Sequence, residues 1–162
     1  MPELSPSYTE AREALLATSP QAGGMEATED LPHVYGVIVD IGFSPLFTVA
    51  TFADGTTSAY DSNGGSVTGL GKITGTLVLG RGILRAVEAN MAALRPAGSP
   101  PLPAPDRVVF TALTYQGRLG VEADGAALLR GRHPLSTAFN AVMAIMEHAR
   151  HVPPRPDAAP PN

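Results

Sequence analysis

Residues 61–75, DSNGGSVTGLGKITG, combine five glycines with Lys72, the only lysine in the chain. A glycine-rich turn with a lysine is typical of loops that hold the phosphates of a nucleotide. Such a loop needs a glycine, four further residues, and Gly-Lys followed by Ser or Thr, whose hydroxyl binds magnesium. Here Ser66 stands at the position of the first glycine and Ile73 follows the lysine. The spacing therefore predicts a chain-reversing turn and no nucleotide cofactor.

The polar residues of this stretch are still the best candidates for an interaction or ligand loop. Those candidates are Asp61, Ser62, Asn63, Gly64, Gly65 and Lys72. His133 is added because it precedes Pro134 at the start of a predicted helix, where it can serve as a cap, a loop contact or a base. An enzyme or a small ligand-binding domain would use the 61–72 loop with Asp40 or His133. In an interaction module the same residues would only shape turns.

Three further side chains could take part in acid–base catalysis or metal binding, but the sequence shows no second catalytic group or further ligand beside them. Asp40 interrupts the apolar run VIVDIG, where a carboxylate can act as an acid or base, although it also lies close to a strand end. His148 and His151 lie beside Glu147 on the last helical turn, without a third strong metal ligand nearby. They are predicted to be cations at a helix C-terminus. No catalytic residue and no metal site is predicted.

Composition excludes several classes of function. The net charge is -4 and no basic cluster exceeds Arg130 and Arg132, so no footprint for nucleic acid is present. Cysteine is absent, which removes disulfides and thiolate chemistry. No apolar run approaches the roughly 20 residues of a membrane span, and the first residues lack a secretory pattern. A cytoplasmic protein without membrane association is expected.

The low content of charged residues favours association. Only 16% of the residues are charged, against about 25% in typical soluble domains. Much of the surface must therefore be neutral, small or apolar. A protein partner or self-association would cover such a surface.

Three regions follow from composition. Residues 1–31 are predicted to form a weakly ordered arm with one short helix in SYTEAREALLA. Residues 32–151 are predicted to form a single α+β domain. Residues 152–162, VPPRPDAAPPN, are predicted to be a disordered proline-rich tail.

The predicted domain contains three strands, one long helix, two strands and a final helix. Asp54-Gly55 predicts a hairpin between the second and third strands, because both turn positions favour a positive φ. The long helix is predicted from apolar residues spaced by 4 and 3, at Ile73, Leu77, Gly80, Leu84, Val87, Met91 and Leu94. Its glycines are unfavourable in a helix, so a strand over residues 73–79 before a shorter helix remains an alternative.

The last helix is predicted from Pro134 onward, with the same spacing at Leu135, Phe139, Val142, Met146 and Ala149. Hairpins require antiparallel pairing, and two amphipathic helices require an apolar sheet face. The predicted fold is a two-layer α+β sandwich, with both helices on one face of an antiparallel sheet of about five strands. Its element order resembles the small regulatory scaffolds of the roadblock, longin and profilin groups.

Three segments carry a closer resemblance. The stretches TTSAYDSNGG, RVVFTALTYQGRLGVEAD and GRHPLS resemble a family of small uncharacterised bacterial proteins over about residues 34–150. This resemblance implies domain limits and no activity. The expected function is a non-enzymatic interaction or scaffold module, which homodimerises or docks on a larger protein assembly. The alternative is a ligand-binding domain or enzyme that uses the 61–72 loop.

Overall fold

Seven antiparallel strands form one open sheet in the computed structural model, which describes residues 3–152. The strands are β1 Val34–Ile41, β2 Phe47–Phe52, β3 Thr57–Asp61, β4 Ser66–Val67, β5 Arg95–Pro96, β6 Arg107–Thr114 and β7 Gly117–Asp124. Their order across the sheet is β4-β3-β2-β1-β6-β7-β5. The antiparallel α+β class is as predicted. The sheet has two more strands than expected, because each edge strand is only two residues long and leaves no alternating pattern in the sequence.

Within the described part of the chain, four α-helices accompany the sheet. They are α1 Pro6–Leu16, α2 Thr74–Ala89, α3 Gly125–Leu129 and α4 Ser136–Arg150. The long helix and the last helix are as predicted, and the alternative of a strand over residues 73–79 is wrong. The helix α2 ends earlier than the apolar spacing suggested. The side chain of Asn90 donates to the Ala86 carbonyl oxygen at 2.7 Å, and such local bonds compete with helix continuation.

The helices α2 and α4 pack on one face of the sheet. Alternate residues of β1 point toward them, among them Val37, Val39 and Ile41. From the helices, Leu84 and Phe139 enter the same core and are fully buried. This packing buries the apolar stripe of each helix, which is where most helix stability in proteins arises.

The first turns of α2 depart from the predicted stripe. Ile73 is 42% exposed and Leu77 is 38% exposed, whereas Thr76 and Ile83 are buried. The end of the Leu77 side chain faces the Gly55 turn between β2 and β3 and not the sheet. The helix therefore begins over the hairpin tip, and only its later turns lie on the core.

Gly80 marks a close approach between α2 and the sheet. A Cβ atom at this position would lie 2.5 Å from Thr51 Oγ1 and 3.2 Å from Thr57 Oγ1. Those hydroxyls are buried and hydrogen-bonded to each other at 2.9 Å. A larger residue would separate the helix from β2 and β3.

Gly80→Ala is therefore expected to destabilise the protein by about 1–3 kcal/mol through overpacking, although alanine is the better helix former. Chemical denaturation measures the loss. Thr51→Ala removes the nearer oxygen, so Gly80→Ala should cost less when introduced into that variant. An equal cost in both backgrounds would show that the contact with Thr51 does not set the spacing.

The other face of the sheet is covered by the N-terminal arm. The helix α1 lies there with Tyr8 buried, and Leu16 and Met25 pack on Ile38 and Phe52. The structure thus has a third layer that the predicted two-layer sandwich lacked. Few apolar residues mark this arm in the sequence, because polar side chains make much of its attachment. Of the predicted tail, all but Val152 lies outside the described residues.

Candidate functional site

Residues 61–65 form the turn that joins β3 to β4. Asp61 Oδ1 accepts hydrogen bonds from the backbone nitrogens of Asn63 at 2.8 Å and Gly65 at 3.2 Å. Gly64 adopts a φ of 102°, which glycine reaches without steric cost. The carboxylate therefore organises its own turn, and the turn chemistry accounts for the composition of the segment.

Ser62 fastens this turn to two other segments. Its buried Oγ accepts a hydrogen bond from the Leu46 nitrogen at 3.0 Å. Its carbonyl oxygen accepts another from the Ser5 nitrogen at 2.8 Å. The turn is thus tied both to the start of β2 and to the start of α1, which is a structural use of a predicted ligand residue.

Lys72 is exposed in the short 3₁₀ turn that precedes α2. A Cβ atom at the preceding Gly71 would overlap the Gly55 carbonyl oxygen. This glycine permits close packing of the turn on the β2–β3 hairpin. Gly71 thus has a role in chain geometry.

His133 lies in the turn that precedes α4, and its hydrogen bonds stay within that turn and the first helical residue. Its Nδ1 accepts a hydrogen bond from the Leu135 nitrogen at 3.0 Å, and its backbone nitrogen donates to Ser136 Oγ at 3.1 Å. Burial lowers the pKa of His133, which favours the neutral ring that this acceptor role requires. The imidazole is engaged with its own helix start.

The predicted candidates are not brought together. Gly71 lies beside the Thr57 nitrogen at the start of β3, whereas Asp61 ends that strand, about 13 Å away by strand rise. Asp61 shares a cavity with Arg150 at the end of α4. His133 lies before the other end of that helix, about 21 Å away by helical rise. The residues are therefore three separate structural features.

Asp40 is fully buried and fully paired. The guanidinium of Arg12 binds it through Nε to Oδ1 at 3.1 Å and Nη2 to Oδ2 at 3.0 Å. Thr48 Oγ1 donates to Oδ1 at 2.6 Å. Because that hydroxyl has one proton, Tyr8 OH must donate in its 2.7 Å contact with Thr48. This network fastens α1 to the sheet and leaves no free carboxylate for acid–base work.

Sequence reasoning missed the partners of Asp40, since both Tyr8 and Arg12 belong to the arm predicted to be weakly ordered. A second attachment lies further along the arm. Tyr35 OH donates to the Thr18 carbonyl oxygen at 2.8 Å, and Arg118 Nη2 donates to that of Leu16 at 2.8 Å. The only signal in the sequence was Asp40 itself, a buried charge that requires a cation.

Glu88 joins the last turn of α2 to the start of β1. Its Oε1 accepts from the backbone nitrogens of His33 at 2.7 Å and Val34 at 3.1 Å, and Oε2 lies 2.9 Å from His33 Nδ1. Burial by itself raises the pKa of Glu88. The hydrogen bonds outweigh it, so the pKa of Glu88 is lowered overall.

Glu88→Gln is expected to cost about 1–3 kcal/mol at pH 7, because bonds to a charged acceptor are lost. The pKa of Glu88 is lower in the folded state. The stability that the Glu88 carboxylate contributes is therefore complete above about pH 4.5, the ordinary pKa of a glutamate. This contribution is lost as the pH falls through the lower pKa of the folded state. Urea denaturation from pH 7 to pH 3 should show that the difference in unfolding free energy between the variant and the wild type shrinks below about pH 4.5. Glu10→Gln, on the exposed side of α1, is the control; a constant gap for Glu88→Gln would contradict this reasoning.

Large apolar side chains are exposed at the start of α2. Val78 is 65% exposed, and it lies beside the partly exposed Ile73 and Leu77. Ile73 and Leu77 are four residues apart, the spacing of side chains that are neighbours on a helix surface, and Val78 directly follows Leu77. These three exposed residues at the start of the helix are called here the α2 apolar surface. Among residues 3–152, Leu129 on α3 is the other strongly exposed large apolar residue, at 60%.

Two glycines flank Val78 on the exposed side of α2. A Cβ atom at Gly82 would meet nothing within 4 Å, and one at Gly75 would meet only His148 Cε1 at an ordinary 3.5 Å. Gly82 lies in the helix interior, where glycine costs about 1 kcal/mol relative to alanine. Unlike Gly80, neither is required by contacts within residues 3–152.

Other kinds of site find no support in the part of the chain that the structure describes. No group of three His, Asp or Glu side chains there could hold a metal ion. No helix there has the length and hydrophobicity needed to cross a membrane. Comparison with known proteins gives no match to a family model, to a curated protein or to a solved structure.

Proposed function

We propose that this protein is a non-enzymatic interaction module that self-associates through the α2 apolar surface. The observation that carries the proposal is the exposure of Val78 beside Ile73 and Leu77 on a helix that is otherwise well packed. Exposed apolar side chains that cluster mark interaction sites more often than those scattered singly.

A second copy of the chain suits this surface. Gly75 and Gly82 lie three residues before and four residues after Val78, so the face is nearly symmetric about that side chain. Two copies of α2 crossing at Val78 would place each valine near its counterpart and bring the glycine-bearing backbones close. A two-fold contact of one patch with itself is the commonest form of oligomer. Docking on a different protein is the alternative occupant.

The loop of residues 61–72 does not support the ligand-binding alternative. Asp61 and Ser62 are engaged within the turn, and Gly71 is packed on the β2–β3 hairpin. The proposal therefore assigns these residues to shaping the domain that presents α2.

Val78→Asp is expected to convert the wild-type dimer to a monomer of 16.7 kDa at micromolar concentration. A carboxylate buried at an apolar contact without a partner is strongly unfavourable, while an exposed one disturbs the fold little. Sedimentation velocity measures the change, and circular dichroism verifies the fold. Leu129→Asp changes a similarly exposed residue on α3 and should leave the dimer intact.

The oligomeric state of the wild type decides between self-association and docking on a different protein. A wild-type chain that sediments as a monomer at all concentrations would reject self-association. Dimers that persist in Val78→Asp but dissociate in Leu129→Asp would move the contact to α3.

A further inference from the structure

A cavity of about 820 Å³ opens where β1 ends and β6 begins. Phe43 and Leu46 line it from the β1–β2 connection, and Leu102 and Pro103 line it from the proline-rich connection. Asp106 stands at the same place, just before β6. The volume lies within the range of small-molecule sites, which are mainly apolar with a few polar groups.

A second cavity of about 320 Å³ adjoins the first. Phe43 and Asp106 line both cavities. The smaller one is also lined by Asp124, Gly125, Ala126, Leu129 and Phe139. The two cavities are called here the end groove. Asp106 therefore lies between two apolar spaces at one end of the sheet.

Backbone contacts hold the walls of the end groove in place. The Gly42 nitrogen donates to the Arg107 carbonyl oxygen at 2.8 Å, and the Asp106 nitrogen donates to the Gly42 oxygen at 2.9 Å. A Cβ atom at Gly42 would overlap the Ala104 oxygen. The Gly125 nitrogen donates to the Asp106 oxygen at 2.9 Å. The groove is thus preformed and not a gap between loose loops.

The charged side chains that line the end groove are all negative. Asp106 and Asp124 carry its carboxylates, and none of its described lining residues is Lys, Arg or His. Asp124 Oδ2 accepts from the Ala127 nitrogen at 3.1 Å. The guanidinium of the adjacent Arg107 is engaged with Glu122 at 2.8 Å. The Asp106 carboxylate has no hydrogen-bond or ion-pair partner among residues 3–152.

We propose that the end groove binds a small organic cation, namely a protonated amine on a hydrocarbon chain or ring. The hydrocarbon would occupy the apolar walls at Phe43 and Leu102, and the ammonium would lie against Asp106. Apolar burial supplies affinity, while the unpaired carboxylate discriminates by charge. This site is separate from the α2 apolar surface and does not depend on self-association.

Three probes of equal chain length test the proposal: n-octylammonium, 1-octanol and octanoate. Nitrogen-15 NMR titration at pH 7 should move the amide signals of residues 42–46 and 102–106 with n-octylammonium. Its dissociation constant should be about fivefold below that of 1-octanol, which matches one or two partly exposed ion pairs. Octanoate should bind more weakly than either, and added salt should reduce the selectivity.

Asp106→Asn removes the charge while keeping the turn, because asparagine also tolerates the φ of 63° at this position. Asp124→Asn likewise retains a side chain that caps α3. The double variant should bind n-octylammonium and 1-octanol equally. Asp54→Asn, at the tip of the β2–β3 hairpin, is the matched control and should preserve the selectivity.

Three outcomes would overturn the proposal. They are shifts confined to residues outside the end groove, equal affinity of the wild type for all three probes, and selectivity that survives in the double variant. Val78→Asp should bind n-octylammonium like the wild type, so failure of this site and failure of self-association are distinguishable.

Discussion

Arg12→Ala is expected to destabilise the protein by about 3–5 kcal/mol. The guanidinium is the cation that pairs with Asp40, whose side chain is 1% exposed. Removing it leaves a buried carboxylate without its counter-charge. Thr48 alone would remain as a side-chain donor to that carboxylate.

The control for this prediction removes both charges. Arg12→Met combined with Asp40→Leu should recover most of the lost stability, because buried ion pairs replaced by apolar residues of similar volume are often neutral. Urea denaturation of the wild type, Arg12→Met, Asp40→Leu and the double variant gives the four free energies of the double-mutant cycle. A small loss for Arg12→Ala alone would mean that α1 is not held by this pair.

The result bears on the role of the arm. If the pair at Asp40 fastens α1, removal of α1 would expose the second apolar face of the sheet, including Ile38 and Phe52. In this structure, the arm that composition marks as weakly ordered packs on the second face of the sheet, through Leu16 and Met25.

Leu84→Ala is expected to cost about 2–5 kcal/mol, because it creates a cavity in the core between α2, α4 and the sheet. Leu84 is fully buried. Leu77→Ala is the matched control on the same helix. Leu77 is 38% exposed and lies over the Gly55 turn, so it should cost clearly less.

Thermal and urea denaturation of the two variants compare the sites directly. Equal losses of stability in the two variants would indicate that Leu77 is buried as the sequence periodicity predicted. That result would contradict the placement of the first turns of α2 over the hairpin. A loss confined to Leu84 would agree with it.

Helical periodicity and hairpin chemistry carried most of the fold prediction. The spacing of Leu84, Val87, Phe139 and Val142 correctly located two helices, because regular burial leaves a regular pattern. Asp54-Gly55 correctly located a hairpin through its turn geometry. The class, the antiparallel pairing and the main strands were therefore readable before the structure.

What remained hidden depends on contacts between distant segments. The two-residue strands β4 and β5 are too short for any alternation. The attachment of α1 rests on Arg12, Tyr8 and Thr48, whose residue types are ordinary until the fold places them around Asp40. Spacing along the chain does not encode such pairings.

The candidate site was predicted least well, for a physical reason. Glycines and short polar residues in a loop have the same composition whether they bind a ligand or satisfy their own turn. Asp61 and His133 accept backbone hydrogen bonds from their own segments. In contrast, the exposure of Ile73 and Leu77 follows from where α2 begins over the hairpin, and sequence periodicity had placed both residues on the buried stripe.

The most direct measurement of the central claim uses the absence of cysteine from this chain. Val78→Cys introduces a single thiol at the proposed two-fold contact, where oxidation can join two copies if the Cβ atoms approach within about 3.5–4.5 Å. Leu129→Cys introduces an equally exposed thiol on α3. Self-association through α2 predicts rapid formation of a disulfide-linked species of twice 16.7 kDa for Val78→Cys and little for Leu129→Cys. Equal cross-linking of both variants, or none in Val78→Cys, would contradict it.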